Sequence, residues 1–413
     1  MKNKNYLTII WEKGGAYGFL NTIIAGTQFL TIFIFASALS PQEFGNVSIY
    51  MTIYILFCIL IGLGLSGAIQ QGYYKLTNDE FEELVSSIVK FTIAFFIIVL
   101  FIIIFFPATI LNILKIERYS LLLALIAALC QVIVQLTLII LQTHERVLVY
   151  LKIAIFQIFA TNLAVIIFYY FSLRNWESAI TSLAIAPIMT VIIAFRKLNK
   201  LKYISKKFNK KILIKTLKYS LPLVPHQIAG WGVVMLDRFI IISYFDARQA
   251  GIYSLSFQIS QAVNIASNSI NQAIVPALYR QLSLRARNIK KIKSINITYV
   301  TSMIVFSILY LLLFSIIVPI VIKPEYENVI IYGPWHILSL FFLSCSRVGS
   351  NIMLFNGDTI KLSLATIFST ILSIFLNLIL IPLYGVIAAC WTSVLTCFVL
   401  LLLNSWSARS AIK

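Results

Sequence analysis

The sequence predicts an all-α polytopic membrane protein with about twelve transmembrane helices. Two observations carry this fold class. The 413 residues are 60% hydrophobic and only 11% charged, with a mean hydropathy of +0.93, a composition that is typical of membrane proteins and excludes a water-soluble globule. Apolar stretches also recur along the whole chain, each close to the roughly 20 residues that a helix needs to cross the ~30 Å apolar core of a bilayer.

Twelve candidate spans are separated by short polar connections, six on each side of a basic segment. They cover 14–39, 44–66, 88–110, 119–141, 150–171 and 178–195, and then 219–243, 252–277, 295–322, 329–352, 361–381 and 385–404. The basic segment, Arg196 to Lys218, contains ten Lys or Arg and no Asp or Glu. We therefore predict a six-helix N-terminal lobe over 1–195, a basic linker over 196–218 and a six-helix C-terminal lobe over 219–413.

The distribution of basic residues predicts the orientation, because Lys and Arg are retained on the cytoplasmic side of short loops. If the N-terminus is inside, the outside loops contain only Lys115, Arg118, Arg174, Arg248 and Lys323 of the 33 basic residues. We therefore expect both termini and the basic segment in the cytoplasm, with the segment resting against anionic head groups. No polar stretch is long enough to fold as a nucleic-acid-binding domain, so the net charge of +19 does not indicate nucleic acid.

The two halves are also similar at their first outside turns. Gly45 and Ser48 recur as Gly251 and Ser254, at an offset of 206 residues. Together with six spans on each side, this favours parallel repeats, which are typical of transporters with a binding site between two lobes. The five cysteines lie in apolar runs without metal-ligand spacing, and no outside loop could house a catalytic domain. We predict a transporter without a metal site or bound cofactor, and not an enzyme.

Helical periodicity predicts a polar face on the eighth span. At about 100° per residue its polar side chains fall within roughly 120° of one another, opposite an apolar face; they are Ser260, Gln261, Asn264, Asn268, Asn271 and Gln272. A water-filled cavity that contacts sugar hydroxyls would explain this stripe, and hydrogen bonding between helices is the alternative. Gln28 is a candidate for the same role in the first half.

Ionisable residues inside the predicted spans are candidates for charge recognition. Arg238, Arg347 and Lys90 are the candidate cations for an anionic substrate, with structural pairing or snorkelling toward head groups as the alternatives. Asp237 is the carboxylate well inside a span, and together with His226 it is a candidate for titration coupled to an H⁺ or Na⁺ gradient. The alternative for Asp237 is a structural pair with Arg238.

Segments of both halves resemble polysaccharide flippases of the Wzx type. The stretch YSLPLVPHQIAGWGVVMLDRFIIISYFDARQAGIYSLSFQI (219–259) is similar to the seventh and eighth helices of that family, and LNLILIPLYGVIAACWTSV, around Asn377, to its eleventh-to-twelfth helix turn. LSPQEFGNVS with GLGLSGAI resembles its first turn and second helix. The resemblance implies the multidrug/oligosaccharidyl-lipid/polysaccharide exporter fold, with two six-helix bundles in a V that form a MATE-like alternating-access transporter.

The same resemblance implies a function, a location and partners. The expected substrate is an undecaprenyl-pyrophosphate-linked oligosaccharide, such as an O-antigen unit of lipopolysaccharide, moved from the cytoplasmic to the periplasmic leaflet of the bacterial inner membrane by cation-coupled antiport. The bilayer and this lipid-linked oligosaccharide are the implied partners, and a polymerase and a chain-length regulator are further candidates. Two alternatives stay open: a multidrug or cation antiporter of the same superfamily, and an exporter of capsule or another envelope polysaccharide.

Overall fold

A computed structural model describes residues 26–27, 29–105, 111, 116–171, 175–201, 203, 208–284 and 288–412, except for the side chains of 409–412. All regular elements of these residues are helices, and they include no strand. The α-helices are α1 Phe29–Ala38, α2 Pro41–Gly62, α3 Leu65–Lys75, α4 Asn78–Phe105, α5 Arg118–Thr143, α6 Val147–Tyr170, α7 Trp176–Lys200, α8 Lys210–Ser220, α9 Val224–Met235, α10 Asp237–Tyr244, α11 Ala247–Ser260, α12 Ala262–Leu282, α13 Ile289–Val321, α14 Val329–Asn356, α15 Thr359–Tyr384 and α16 Ile387–Ile412.

Nine helical segments in the described ranges are long and apolar enough to cross a membrane. They are Pro41–Lys75, Asn78–Phe105, Arg118–Thr143, Val147–Tyr170, Trp176–Lys200, Ile289–Val321, Val329–Asn356, Thr359–Tyr384 and Ile387–Ala408. Each of them overlaps one of the twelve predicted spans. The fold class predicted from the sequence, an all-α polytopic membrane protein, is therefore confirmed.

The other three predicted spans differ from a single long helix. The first, 14–39, lies largely outside the described residues, and α1 is its described part. The seventh begins at the end of α8, continues through a 3-10 turn at Leu221–Leu223, and is then divided between α9 and α10 at Leu236. There the Phe239 amide donates to the Leu236 carbonyl, as in a tight turn. The eighth is divided between α11 and α12 at Gln261, whose amide donates to the carbonyls of Phe257 and Gln258.

The described helices form two compact units. The central unit is Asn46–Trp231, and the terminal unit combines the described residues of Met1–Gly45 with those of Gly232–Lys413. The lobe boundaries given above, with a linker at 196–218, stay a prediction.

In the central unit α7 packs against α5 and α6, and α8 packs against α3 and α4. Val134, Leu141, Ile153 and Ala194 form one buried apolar cluster of the first group. Trp231, at the end of this unit, donates from its indole N–H to the Thr52 carbonyl at 3.0 Å. The helices of this unit are thus tied by both apolar burial and buried hydrogen bonds.

In the terminal unit α14 is the most surrounded helix, because it packs against α11, α12, α13 and α16. It approaches α16 closely at Gly349, where any Cβ would overlap the backbone of Asn404. It ends at Gly357, which has φ 79°, in the left-handed region that glycine adopts without steric cost. This packing fixes the α14 face that carries Arg347 beside the polar face of α12.

Candidate functional site

Arg347 of α14 binds the predicted polar face of α12. Its Nη2 donates to Asn264 Oδ1 at 2.6 Å, and its Nη1 donates to Asn268 Oδ1. The Asn264 amide nitrogen in turn donates to Gln261 Oε1 at 3.0 Å. Residues that the sequence offered separately, as a candidate cation and as a polar stripe, therefore form one connected group.

The polar contacts continue one turn further along both helices. Asn351, four residues after Arg347 on α14, donates from Nδ2 to Asn271 Oδ1 at 2.7 Å. The neighbouring Ser350 accepts a bond of 3.1 Å from the Asn404 amide of α16. Sequence reasoning missed Asn351, although its spacing of four from Arg347 places both on one helix face. We call Gln261, Asn264, Asn268, Asn271, Arg347 and Asn351 the amide–arginine cluster.

The cluster is accessible and carries a positive charge. Asn268 is exposed, and four other members are only partly buried: Gln261, Asn264, Asn271 and Arg347. Gln272, the next residue of α12, is also exposed, but it does not belong to the cluster. Arg347 forms no ion pair with a carboxylate in the described part of the chain, since its hydrogen-bond partners are neutral amide oxygens. A guanidinium has five N–H donors in a planar fork, so donors remain for an anion.

Amide and guanidinium groups in this arrangement suit one class of ligand. Arginine binds phosphate oxygens through parallel charge-assisted hydrogen bonds. Asn and Gln side chains can both donate to and accept from hydroxyl groups, which allows them to bind sugars. The amide–arginine cluster thus has the groups required for a phosphate that carries a carbohydrate.

Asp237 and Arg238 form a second, buried cluster. The two residues are only 4% and 2% exposed, and Arg238 Nη1 donates to Asp237 Oδ1 at 3.1 Å and to the Val234 carbonyl at 2.7 Å. The Tyr253 hydroxyl donates to Asp237 Oδ2. The Arg238 guanidinium also lies 4.8 Å from the centre of the Phe257 ring, within the distance of a cation–π interaction.

His336 extends the buried cluster on the side of Tyr253. The imidazole is fully buried, with its ring centre 4.7 Å from that of Tyr253 and 5.4 Å from that of Phe257. Its Nε2 lies 3.8 Å from the sulfur of Cys390. Both charges of the Asp237–Arg238 pair are therefore compensated inside the protein, among aromatic rings.

The remaining sequence candidates belong to the central unit or lie outside the described residues. Lys90 is a partly buried residue of α4, and His226 is a partly buried residue of α9. His226 Nδ1 is buried and has no hydrogen-bond partner among the described residues. Gln28 lies outside the described residues. Within the described ranges, no three His, Cys, Asp or Glu residues are grouped so as to hold a metal ion.

Solved structures with a similar fold are transporters. One, an inward-facing multidrug resistance MATE family transporter of the MOP superfamily, has a TM-score of 0.78 and 13% sequence identity, covering 96% of this chain and 98% of its own. Another, the lipid II flippase MurJ in an inward closed conformation, has a TM-score of 0.77 and 14% identity, covering 96% of this chain and 87% of its own. At these identities the similarity shows the fold, and it confirms the MATE-like helical architecture.

Sequence comparison adds the family. An uncharacterized membrane protein of Haemophilus influenzae is 21% identical over 378 residues, which cover 87% of this chain and 89% of the relative. The family model described as "Polysaccharide biosynthesis protein" matches residues 10–282, well over half of the chain. This protein is therefore a polytopic membrane protein of the polysaccharide biosynthesis protein family, with the helical fold seen in the MATE transporter and MurJ structures.

Proposed function

We propose that this protein translocates undecaprenyl-pyrophosphate-linked oligosaccharide units, such as those of O-antigen, from the cytoplasmic to the periplasmic leaflet of the bacterial inner membrane. The observation that carries the proposal is the contact of Arg347 with Asn264 and Asn268 on an accessible polar face. A cation without a carboxylate partner in the described residues favours an anionic ligand, and the neighbouring amides favour a hydroxylated one.

The chemistry of such a substrate explains why the cluster has this composition. The pyrophosphate carries the negative charge, and the sugars present many hydroxyl groups that need hydrogen-bond partners during passage through the membrane. Amides held on two packed helices supply those partners at a low cost in conformational entropy, because Arg347 already orders them. Family membership supports a role in polysaccharide assembly, and the similarly folded MurJ is named as a flippase of lipid II.

Depletion of the protein in its host tests the proposal directly. We expect undecaprenyl-pyrophosphate oligosaccharide to accumulate on the cytoplasmic side of the inner membrane, as measured by extraction and mass spectrometry of lipid-linked sugars. Unchanged pools of lipid-linked sugars together with increased drug sensitivity would contradict the proposal and favour the multidrug antiporter. The identity of the accumulated glycan distinguishes O-antigen from capsule or another envelope polysaccharide.

Substitution of Arg347 tests the site. Arg347→Gln removes the cation but keeps a group that can bond to the α12 amides, so we expect normal folding and at least a tenfold loss of glycolipid transport in proteoliposomes, which corresponds to about 1.4 kcal/mol. Arg280→Gln is the matched control, because Arg280 is an exposed residue of α12 outside the amide–arginine cluster. Equal transport by the two variants would exclude Arg347 from substrate recognition.

We further propose that transport uses an H⁺ or Na⁺ gradient, with Asp237 as the titrating group. Support for this comes from its place as a buried carboxylate in a membrane protein, since such groups are retained for structural pairing or for ion movement. The pair with Arg238 and the bond from Tyr253 are the contacts that titration would break. Transport by Asp237→Asn at full rate, with full dependence on the gradient, would rule out this coupling role.

The orientation and partners follow from the same proposal. Both termini are placed in the cytoplasm by the distribution of Lys and Arg along the sequence. Cysteines introduced near either terminus test this orientation. Labelling of these cysteines by a membrane-impermeant reagent in intact cells would show that the termini lie outside and would contradict the prediction. A polymerase and a chain-length regulator would act on the translocated glycan at the opposite face of the membrane.

A further inference from the structure

The basic segment of the sequence ends in an amphipathic helix whose exposed face plays no part in the proposed transport site. Leu213, Thr216 and Ser220 of α8 are buried on one side, where the helix packs against α3 and α4. At about 100° per residue, Lys211, Lys215 and Lys218 lie within roughly 60° of one another on the opposite side. All three are exposed, as is Lys210.

Large apolar side chains are exposed beside these lysines. Ile214 and Tyr219 are each 43% exposed, and Leu221, directly after the helix, is 46% exposed. Phe208, just before the helix, is 53% exposed. A helix that combines exposed lysines with exposed aromatic and aliphatic groups is typical of the membrane interface, where the apolar groups enter the acyl boundary and the lysines extend toward head groups.

The N-cap of α8 fixes its depth relative to α4. The Asn209 amide donates to Ser87 Oγ at 2.9 Å, and its side-chain nitrogen donates to Glu83 Oε2 at 2.8 Å. Asn209 Oδ1 accepts from the Ile212 amide at 3.1 Å and so caps α8. The predicted apolar span of α4 begins at residue 88, so α8 begins beside the point where α4 enters the apolar layer.

The lysines of this face are not paired with carboxylates. In the described residues no lysine of α8 forms an ion pair with a carboxylate. Glu80 of α4 attracts Lys215 electrostatically, and Glu83 is bonded to the side chain of Asn209, so acidic residues of α4 lie beside the start of α8 without holding a lysine. The lysines are therefore available to an anionic partner at the level of the head groups.

We propose that the exposed face of α8 docks on anionic phospholipid head groups of the cytoplasmic leaflet. The phosphates of such lipids match the lysine cluster in charge, and the bilayer boundary covers Ile214, Tyr219 and Leu221. A basic residue near an anionic leaflet raises affinity about fivefold, so the three central lysines together discriminate strongly between anionic and zwitterionic lipid. The interaction is separate from the transported substrate and anchors the connection that follows α7.

Native mass spectrometry of the full-length protein tests this. The purified protein is equilibrated with phosphatidylglycerol or phosphatidylcholine, and the retained lipids are counted. We expect the wild-type protein to retain more phosphatidylglycerol than phosphatidylcholine. In the variant Lys211→Gln/Lys215→Gln/Lys218→Gln the ratio of the two retained lipids should fall at least tenfold. The matched control, Arg118→Gln/Arg248→Gln/Lys323→Gln, removes three exposed basic residues that are far apart in the sequence and belong to the predicted outside loops, and should keep the preference within about twofold.

Either of two results would overturn the proposal: unchanged phosphatidylglycerol retention in the α8 variant, or an equal loss in the control variant. Replacement of the same three lysines by arginine should restore the preference, because the charge is preserved. If the glutamine variant does not give monodisperse protein, the three single Lys→Gln variants and a salt titration of wild type provide the test. Retention that is independent of salt, with all single variants equal to wild type, would also contradict the proposal.

Discussion

Gly45 and Gly251 face each other where α2 and α11 cross in the terminal unit. A Cβ on Gly45 would overlap the carbonyl oxygen of Ala247, and a Cβ on Gly251 would overlap the carbonyl oxygen of Pro41. The contacts are reciprocal, because each glycine meets the carbonyl four residues before the other. The sequence offset of 206 that relates these glycines thus corresponds to a symmetric contact between the starts of two helices.

We expect Gly45→Ala and Gly251→Ala each to lower the stability of the protein. Alanine in a helix interior is intrinsically more favourable than glycine by about 0.5–1 kcal/mol, but here the methyl group would separate the two backbones, which typically costs about 1–3 kcal/mol. Thermal unfolding in detergent should show a lower midpoint for both variants.

Gly67→Ala is the matched control, because Gly67 is a helical glycine of α3 with no atom within 4 Å of the position of a Cβ. It should leave the unfolding midpoint unchanged or raise it. Midpoints of Gly45→Ala and Gly251→Ala equal to that of the control would show that the crossing tolerates a methyl group.

The caps of the two helices repeat at the same offset. Before α2, the Ser40 amide donates to Glu43 Oε2 at 2.9 Å while the Glu43 amide donates to Ser40 Oγ at 3.4 Å, the reciprocal arrangement of a capping box. Before α11, the Gln249 amide donates to Asp246 Oδ1 at 2.8 Å. Ser40 and Asp246 are 206 residues apart, so two chemically different caps start equivalent helices. Two identities in the sequence understated this relationship, because different side chains perform the same capping function.

The Asp237–Arg238 pair predicts an asymmetry between single and double variants. Asp237→Asn leaves the buried Arg238 without its counter-charge, and the loss of one partner of such a pair typically costs about 3–5 kcal/mol. Asp237→Asn/Arg238→Met removes both charges and keeps an apolar side chain beside Phe257. We therefore expect a substantially smaller loss of stability than in Asp237→Asn alone. Thermal unfolding of both variants under the same conditions measures the difference.

This double variant also supplies a folded background for the coupling experiment. If it is as unstable as Asp237→Asn alone, the uncompensated charge is not the cause of destabilisation. In that case the bond from Tyr253 to Asp237 would be the main contribution of the carboxylate, and Tyr253→Phe should produce the same loss.

The sequence indicated candidate residues one by one, but it did not indicate the contacts between them. Nine spans and the polar face of α12 follow from hydrophobic periodicity, which depends only on local spacing. The partner of that face does not, because Arg347 reaches Asn264 and Asn268 through packing of α14 against α12, about 80 positions later in the chain. Similarly, Asp237 and Arg238 are adjacent in sequence, but nothing local indicates that Tyr253 and Phe257 complete their environment.

The structure also interrupts two helices that the sequence predicts to be continuous. Periodicity predicts one continuous helix over 219–243 and another over 252–277, whereas the structure divides the first at Leu221–Leu223 and again at Leu236, and the second at Gln261. Pro222 marks the break at Leu221–Leu223, but Leu236 and Gln261 are neither glycine nor proline, which are the usual sequence signals for a break. At Leu236 the Arg238 side chain donates to the Val234 carbonyl, so a side chain satisfies a backbone group there, and only the tertiary structure reveals this.

Asn209 is expected to contribute more than an ordinary N-cap. Asn209→Ala removes the cap of α8 and the side-chain bond to Glu83. We therefore expect the free energy of unfolding to fall by more than the roughly 1 kcal/mol that a typical cap contributes. Asn288→Ala is the control, because Asn288 caps α13 through the Lys291 amide and is exposed. Limited proteolysis after residue 203 should be faster in Asn209→Ala than in wild type or the control. Equal cleavage in both variants would mean that the bond to Glu83 adds nothing to the cap.

Asn264→Asp tests whether the charge of Arg347 serves the substrate or the protein. The substitution keeps the size of the side chain and places a carboxylate against a guanidinium that has neutral partners. Aspartate cannot donate to Gln261 as Asn264 does, but the new ion pair should offset this loss and maintain the unfolding midpoint. Asn264 and Arg347 are only partly buried, so the pair forms at little desolvation cost. The substitution should at the same time lower glycolipid transport at least tenfold, since the cation is no longer available to phosphate.

Asn288→Asp is the control, because it adds the same charge at an exposed N-cap, where Asp caps as well as Asn. This variant should transport at the wild-type rate. A stable Asn264→Asp protein with full transport would mean that the positive charge of Arg347 is used only to hold α12 against α14.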